Sequence, residues 1–317
     1  MKQKRVFITG AGGTVGRATS RVLVRRGYQV VGFGLGEQYY ARPKFFETLH
    51  DTGSFSFEMG SILDRLAVTM AMAGADAVIH LAALTGGGKT ESQKLRCFDI
   101  NVNGTGHVLA AAASVGVSRF LMVSSSAVYG EPSSNPVDEN AAPTPRNTYG
   151  VSKLAAEELT KGYAQLSPSL QYTIVRLFNT YGDDTEGGIA LNAFATRVRK
   201  GLAPIINGDG SQRRCYVHTE DVANAFADML EKPVAANRLY NIGNPDQAFT
   251  LKELANKIIG ILAPDSNLEA VLSGTPSPAT DIREMVADIG RARSELGFSP
   301  KVTVDEGLRR MLVQQAD

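Results

Sequence analysis

Residues 5–16 read RVFITGAGGTVG, and the reading of this stretch decides the fold. Val6, Phe7 and Ile8 form an apolar run of the kind that fills a buried strand. Small residues follow at once, with Gly10, Gly13 and Gly16 spaced G-x-x-G-x-x-G. The next segment, GRATSRVLVRRG (16–27), has a helical pattern closed by Gly27. Small side chains let a backbone approach a pyrophosphate, and a helix N-terminus offers unpaired N–H groups at the positive end of its dipole. Lying between an N-terminal strand and a helix, the loop predicts dinucleotide binding through Gly10, Gly13, Thr14, Val15 and Gly16.

Outward from this loop the pattern repeats. Apolar runs QVVGF (29–33), AVIHLAA (77–83), RFLMVSS (119–125) and YTIVRL (172–177) alternate with helix-like stretches such as GTGHVLAAAASVG (104–116). Nearly continuous apolar strands separated by helices indicate an α/β fold, a doubly wound parallel Rossmann sheet covered on both faces. After about residue 178, loops containing Gly and Pro interrupt shorter helices, as in GDDTEGG and GTPSPATD. The expected division is a dinucleotide-binding domain over 1–178, with a return segment near 215–243, and a smaller, mostly substrate-binding lobe over 179–317.

Composition narrows the partners. Of 317 residues, 43% are apolar and 21% charged, and 33 Lys and Arg balance 32 Asp and Glu. Such a chain has no global field to draw nucleic acid or an anionic membrane surface. Cys97 and Cys215 lie far apart with no metal-ligand spacing, as expected of free thiols in a reducing compartment, and no metal site is expected. The start, MKQKRVFITG, passes directly into a strand pattern without a long apolar segment, so the expectation is a soluble, cytoplasmic protein.

NTYGVSK (147–153) places Tyr149 and Lys153 four residues apart at the head of a helical stretch, one turn apart on one face. Alone, the spacing leaves a catalytic pair and a chance pairing both open. Together with the glycine loop, however, the chain resembles the extended short-chain dehydrogenase/reductase family, which contains the UDP-sugar 4-epimerases and the nucleotide-sugar dehydratases. The resemblance runs in order through VIHLAA (78–83), NVNGT (101–105), SSSAVYG (124–130), YGVSK (149–153), RLFNTYG (176–182), GDGSQRRCYVH (208–218), YNIG (240–243) and ELGF (295–298).

The resemblance implies a catalytic set of Ser125, Tyr149 and Lys153, with NAD as cofactor and NADP as the alternative. Tyr149 would move the proton of a sugar hydroxyl while a nicotinamide accepts hydride, Lys153 would also hold the nicotinamide ribose, and Ser125 would bond the reacting oxygen. A free phenol has a pKa near 10, so a base at neutral pH needs a shift of roughly three units, about 4 kcal/mol; Lys153 is expected to supply part of it. The resemblance adds Ser61, Ile62, Leu81, Ala82, Ala83 and Asn101 as cofactor contacts, and Ser125, Ser126, Asn179, Arg214 and Arg283 as contacts to a nucleotide-sugar substrate.

Family dehydratases carry an acidic pair after the hydroxyl residue, and the decarboxylases tend to place a glutamate at the second of these positions. Here they are Ser126 and Ala127. Epimerisation at C4 through a transient 4-keto sugar, which needs only the three catalytic residues, is favoured. The alternatives are an NAD(P)H-dependent nucleotide-ketosugar reductase and a non-catalytic cofactor-binding scaffold. Three departures from the family pattern stand out. Gly34 replaces the usual ribose-binding acid at the end of the second strand, with Glu37 the nearest carboxylate and Arg42 a distant cation. Ser61 replaces a usual aspartate, which weakens Ile62 and Asp64 as adenine contacts. The later phosphate arginine falls at Ser277 or Pro278, leaving Arg283 to reach the same place. The glycines of LTGGGKTES (84–92) suggest a pliable wall. His80 is expected in the core, His218 as a cap or orienter of local backbone and Asp221 as a helix cap. The resemblance implies that EELTKGYAQL and GTGHVLAAAASVG pair across a homodimer as a four-helix bundle, while their apolar faces equally allow packing on the monomer core.

Overall fold

The computed structural model describes residues 4–182, 190–275 and 281–314. Six strands build most of one parallel sheet: β1 (Arg5–Thr9), β2 (Gln29–Gly34), β3 (Phe55–Met59), β4 (Ala77–His80), β5 (Arg119–Ser125) and β6 (Gln171–Leu177). The chain then passes through β7 (Asn179–Tyr181), β8 (Ile205–Ile206) and β9 (Arg213–His218) before β10 (Arg238–Ile242) returns as the seventh strand. The order is β10-β6-β5-β4-β1-β2-β3, parallel throughout. The order reverses between β1 and β4, so the crevice for a ligand opens beyond the carboxyl ends of these two strands.

Eight helices precede β6 or connect to it: α1 (Thr14–Arg25), α2 (Gly36–Tyr40), α3 (Pro43–His50), α4 (Arg65–Met72), α5 (Gly87–Ser92), α6 (Lys94–Phe98), α7 (Gly104–Val115) and α8 (Thr148–Leu166). Alternation along the strands sends successive side chains to opposite faces. Val6 and Ile8 join Val22 and Leu23 of α1 in one core, and Phe7 joins Val68 of α4 and Val108 of α7 in the other. Leu121 and Phe120 of β5 divide in the same way. Burial on both faces is why these strands read as continuous apolar runs.

A third core lies in the later part of the chain. Leu191 and Phe194 of α9 (Ala190–Arg199) pack with Leu254 and Ile258 of α11 (Leu251–Leu262) and with Tyr216 of β9. Between them, α10 (Thr219–Glu231) places Val222 and Phe226 against the α1 face of the main sheet. The capping box at Thr250 and Glu253 fixes the start of α11. Among the described residues, no helix is long and apolar enough to cross a membrane.

Candidate active site

The glycine loop is a backbone-packed cradle. Gly10 has φ +71°, and a Cβ there would lie 2.7 Å from the Ala82 nitrogen; one on Gly16 would lie 2.3 Å from the Gly10 carbonyl oxygen. Only glycine fits either position. The loop hangs from the sheet through Gly10 N–H to Phe33 O (2.8 Å), and Ala82 N–H donates to Thr9 Oγ1 (3.2 Å). α1 begins with Gly13 as its N-cap residue, without a side-chain cap and without an acid in its first turn. A close backbone at an uncapped helix N-terminus, at the switch point of the sheet, fits a dinucleotide pyrophosphate. Gly13, Thr14, Val15 and Gly16 lie on this turn, while Leu81, Ala82 and Ala83 continue from β4 beside it, half-buried. Arg17, absent from the sequence reading, is buried beneath the loop and donates from Nη1 to the Gly12 carbonyl (2.6 Å).

β5 ends at Ser125, and a 3-10 turn, Ser126–Tyr129, follows. Ser125 Oγ accepts from Ala127 N–H (3.2 Å), while Asn147 caps α8 by accepting from Gly150 N–H (2.7 Å). Gly150 lets the first turn of α8 press on the 3-10 turn, since a Cβ there would stand 2.5 Å from the Ala127 carbonyl oxygen. This contact brings Tyr149 close enough to Ser125 for the hydroxyl to favour its phenolate. Lys153 follows one turn later, 2% exposed. The structure thus brings Ser125, Tyr149 and Lys153 together from two elements far apart in sequence.

The electrostatics differ from the sequence expectation. Burial pushes the Tyr149 phenol up to about 12, with the Ser125 hydrogen bond acting in the opposite direction. Burial also pulls Lys153 down to about 8, against the pull of the Glu157 carboxylate. Burial thus disfavours the charged form of each, yet Lys153, at about 8, remains mainly an ammonium at pH 7. Desolvation is the largest influence on each group.

Behind the pair lies a buried polar lattice that the motif reading did not include. Glu157, one turn beyond Lys153, accepts from Ser124 Oγ (2.5 Å) and from Arg176 Nε (3.1 Å) and Nη2 (2.9 Å). The Arg176 guanidinium lies 4.6 Å from the Tyr129 ring centroid, and Tyr129 donates to Asn241 Oδ1 (2.7 Å). The signal was present in YTIVRL, because an arginine in an otherwise apolar strand requires a buried partner.

Asn101 occupies a π-helical turn, Asp99–Asn103. Its Oδ1 accepts from Leu84 N–H (2.7 Å), and its Nδ2 donates to Leu84 O (3.1 Å) and Ser152 Oγ (2.9 Å). The side chain clamps the segment after β4 to α8, so any effect of Asn101 on a cofactor acts through that segment. Ile62 is buried, with its side chain against Gly104 and its carbonyl accepting from His107, while Ser61 accepts from Leu63 N–H and is half-buried. Asp64 caps α4. The wall read as pliable contains α5, whose Glu91 accepts from Thr148 N–H (2.6 Å) at the head of α8. That carboxylate is held below its usual range by these bonds to Thr148.

Ser126 is buried and Asn179 is exposed at the start of β7. Arg214 is tied through Nη2 to Asp281 Oδ1 (3.1 Å) and Ile282 O, and through Nη1 to Arg213 O (2.9 Å), so a diphosphate must compete with these acceptors. Arg283 is exposed, two residues beyond Asp281. Ser277 and Pro278 lie outside the described residues. His80 is satisfied by Thr9 and Thr105 (2.7 and 2.9 Å) and held at about 3 by burial, so it is neutral in the core, as expected. His218 accepts from Glu220 N–H, but Asp221 accepts from Val302 N–H (3.0 Å) instead of capping α10. Cys97 and Cys215 are both free and buried.

A dinucleotide cradle at the switch point of a doubly wound sheet, with a serine–tyrosine–lysine set beside it, defines a class of nicotinamide-dependent enzymes. Comparison with known proteins gives the family. Residues 6–243 match the model of the NAD dependent epimerase/dehydratase family, and the chain belongs to it. The chain is 30% identical to UDP-glucuronic acid decarboxylase 2 of Arabidopsis thaliana, over 98% of this chain and 68% of that protein. It superposes on the UDP-glucose 4-epimerase of Thermotoga maritima with UDP-glucose at a TM-score of 0.87 and 26% identity, covering 98% of each chain. The dTDP-glucose 4,6-dehydratase of Streptomyces venezuelae, with NAD bound, matches at a TM-score of 0.88 and 25% identity, over 98% of this chain and 97% of that one. These relatives carry out three different reactions on one scaffold.

Proposed function

We propose that the protein is an NAD-dependent nucleotide-sugar epimerase acting at C4, with Tyr149 as its acid/base. The observation that carries the reading is the approach of Ser125 to Tyr149 at the head of the helix that bears Lys153, with Ser126 and Ala127 where acids would serve other reactions. Gly10, Gly13, Thr14, Val15 and Gly16 would hold the pyrophosphate, with Leu81, Ala82 and Ala83 along the adjoining strand end. Bound there, the nicotinamide supplies a reversible hydride acceptor. Tyr149 takes the proton of the C4 hydroxyl as its phenolate and returns it to the new alkoxide after the sugar has presented its other face. Ser125 donates to the C4 oxygen through both halves, and the positive charge of Lys153, one turn along α8, favours the phenolate. Neither Ser126 nor Ala127 can act as the added acid or base that loss of water requires. Asn179, Arg214 and Arg283 are assigned to the nucleotide diphosphate, for which the planar guanidinium is suited.

Tyr149→Phe is expected to retain dinucleotide binding and lose nearly all turnover; retained turnover would overturn the assignment. A ketosugar reductase is the second reading, favoured by Gly34 in place of the ribose acid. Mass identification of the nucleotide released on denaturing the purified protein separates the two. Stoichiometric NAD supports epimerisation, and NADP or an empty site supports the reductase. α7 and α8 are assigned to a homodimer interface; the exposed Val151 and Leu166 on α8 support it, and light scattering tests it.

A further inference from the structure

The loss of the acid at position 34 has a structural counterpart four residues later. Gln38 projects from α2 over the glycine loop. A Cβ on Gly12 would lie 2.6 Å from the Gln38 Cβ and 3.0 Å from its Oε1. A Cβ on Gly34 would lie 3.7 Å from the same Oε1 and 3.9 Å from the Ala11 nitrogen. The amide oxygen therefore stands between the end of β2 and the loop, in the space toward which a carboxylate at 34 would project. Phe57 backs this place, its Cζ lying 3.5 Å from the Gly34 Cβ position. Gln38 itself is exposed. Dinucleotide folds place an acid at this point to bind the adenosine ribose hydroxyls.

We propose that Gln38 is the residue that recognises the adenosine 2′-hydroxyl in this protein, replacing the missing carboxylate with a neutral amide. This rests on the reading that the loop binds a nicotinamide dinucleotide. A carboxylate does two things at this position: it accepts from the hydroxyl, and it repels a 2′-phosphate. An amide retains the first function through Oε1 and loses the second, while its Nε2 can donate to a phosphate oxygen. Selection between NAD and NADP then rests on hydrogen bonding without charge repulsion, and it is weak.

The test is calorimetric titration of the full chain and its Gln38→Ala variant with NAD, 2′-deoxy-NAD and NADP, with the fold checked by thermal melting. In the parent, removal of the 2′-hydroxyl is expected to weaken binding about tenfold, the value of one good hydrogen bond. In Gln38→Ala, NAD is expected to bind about tenfold more weakly, no better than 2′-deoxy-NAD. Parent affinities for NAD and NADP are expected within about tenfold of each other. Adding Gly34→Asp to Gln38→Ala is expected to restore NAD binding and to weaken NADP further. An unchanged NAD affinity in Gln38→Ala, or a 2′-deoxy penalty that survives there, overturns the assignment. So does a parent preference above about 100-fold for either cofactor, the scale on which a charge selects. If none of the three ligands binds the parent, the dinucleotide reading itself has failed, an outcome distinct from these.

Discussion

Glu157→Gln probes the lattice that fixes the catalytic helix. The carboxylate is fully buried and accepts three hydrogen bonds, two from Arg176, which is 4% exposed. An amide can accept through one oxygen only, and its NH2 must face a donor. The substitution thus leaves a guanidinium in the core without its counter-charge, a loss worth about 3–5 kcal/mol for buried pairs. Against a typical stability of about 5–15 kcal/mol this is a large fraction. At about 2–4 °C per kcal/mol in larger domains, the expected fall in Tm is roughly 6–20 °C. Calorimetry reads the shift directly. A double variant, Glu157→Leu with Arg176→Met, removes both charges and is expected to recover most of the loss, since apolar replacements of buried pairs are often neutral. A fall below about 2 °C in the single variant, or no recovery in the double, would refute the reasoning.

Other substitutions test the geometry and the titrations. Gly150→Ala should raise intrinsic helix propensity by about 1 kcal/mol, yet its Cβ meets the Ala127 carbonyl at 2.5 Å. Turnover is expected to fall ~100-fold by displacement of Tyr149 from Ser125, with dinucleotide affinity little changed; near-normal turnover would contradict the packing. Lys153, lowered to about 8 in the fold from its ordinary value near 10.5, binds fewer protons folded than unfolded as pH rises through that window. Its destabilisation is full below about pH 8 and disappears above 10.5. Lys153→Met is therefore expected to unfold at higher denaturant than the parent at pH 7, with the gap closing from pH 8 to 10.5. Tyr149 titrates high, about 12. The phenolate absorbance lost in Tyr149→Phe should thus be absent below about pH 11, and ionisation at neutral pH in the protein alone would contradict this.

Much of the parallel sheet was legible because its signals are local. RVFIT and RFLMVSS coincide with β1 and β5, and the glycine spacing marks a loop that only glycine can form. The strand FSFEM was overlooked because its exposed end breaks the apolar run, while β10 falls inside the expected return segment near 215–243 but was not read as a strand, being separated by α9, β9 and α10 from the sheet it joins. The serine, tyrosine and lysine were readable as motifs, whereas their pKa values were not. Those depend on burial, which is set by elements distant in sequence. Asn101 shows the same limit: its place in the motif was visible, but its bonds to Leu84 and Ser152 arise from the fold. Glu91 and Gln38 carry no motif, and only the approach of α5 to α8 and of α2 to the glycine loop reveals them.

Epimerisation at C4 is tested most directly by product analysis. The purified protein, supplied with NAD, would be incubated separately with UDP-glucose, UDP-glucuronic acid and dTDP-glucose, with products followed by NMR and reduced cofactor by absorbance. For at least one of these, the C4 epimer is expected at equilibrium with its substrate, with no net change in reduced cofactor. Release of carbon dioxide, a dehydrated 4-keto product, or stoichiometric cofactor consumption would contradict it.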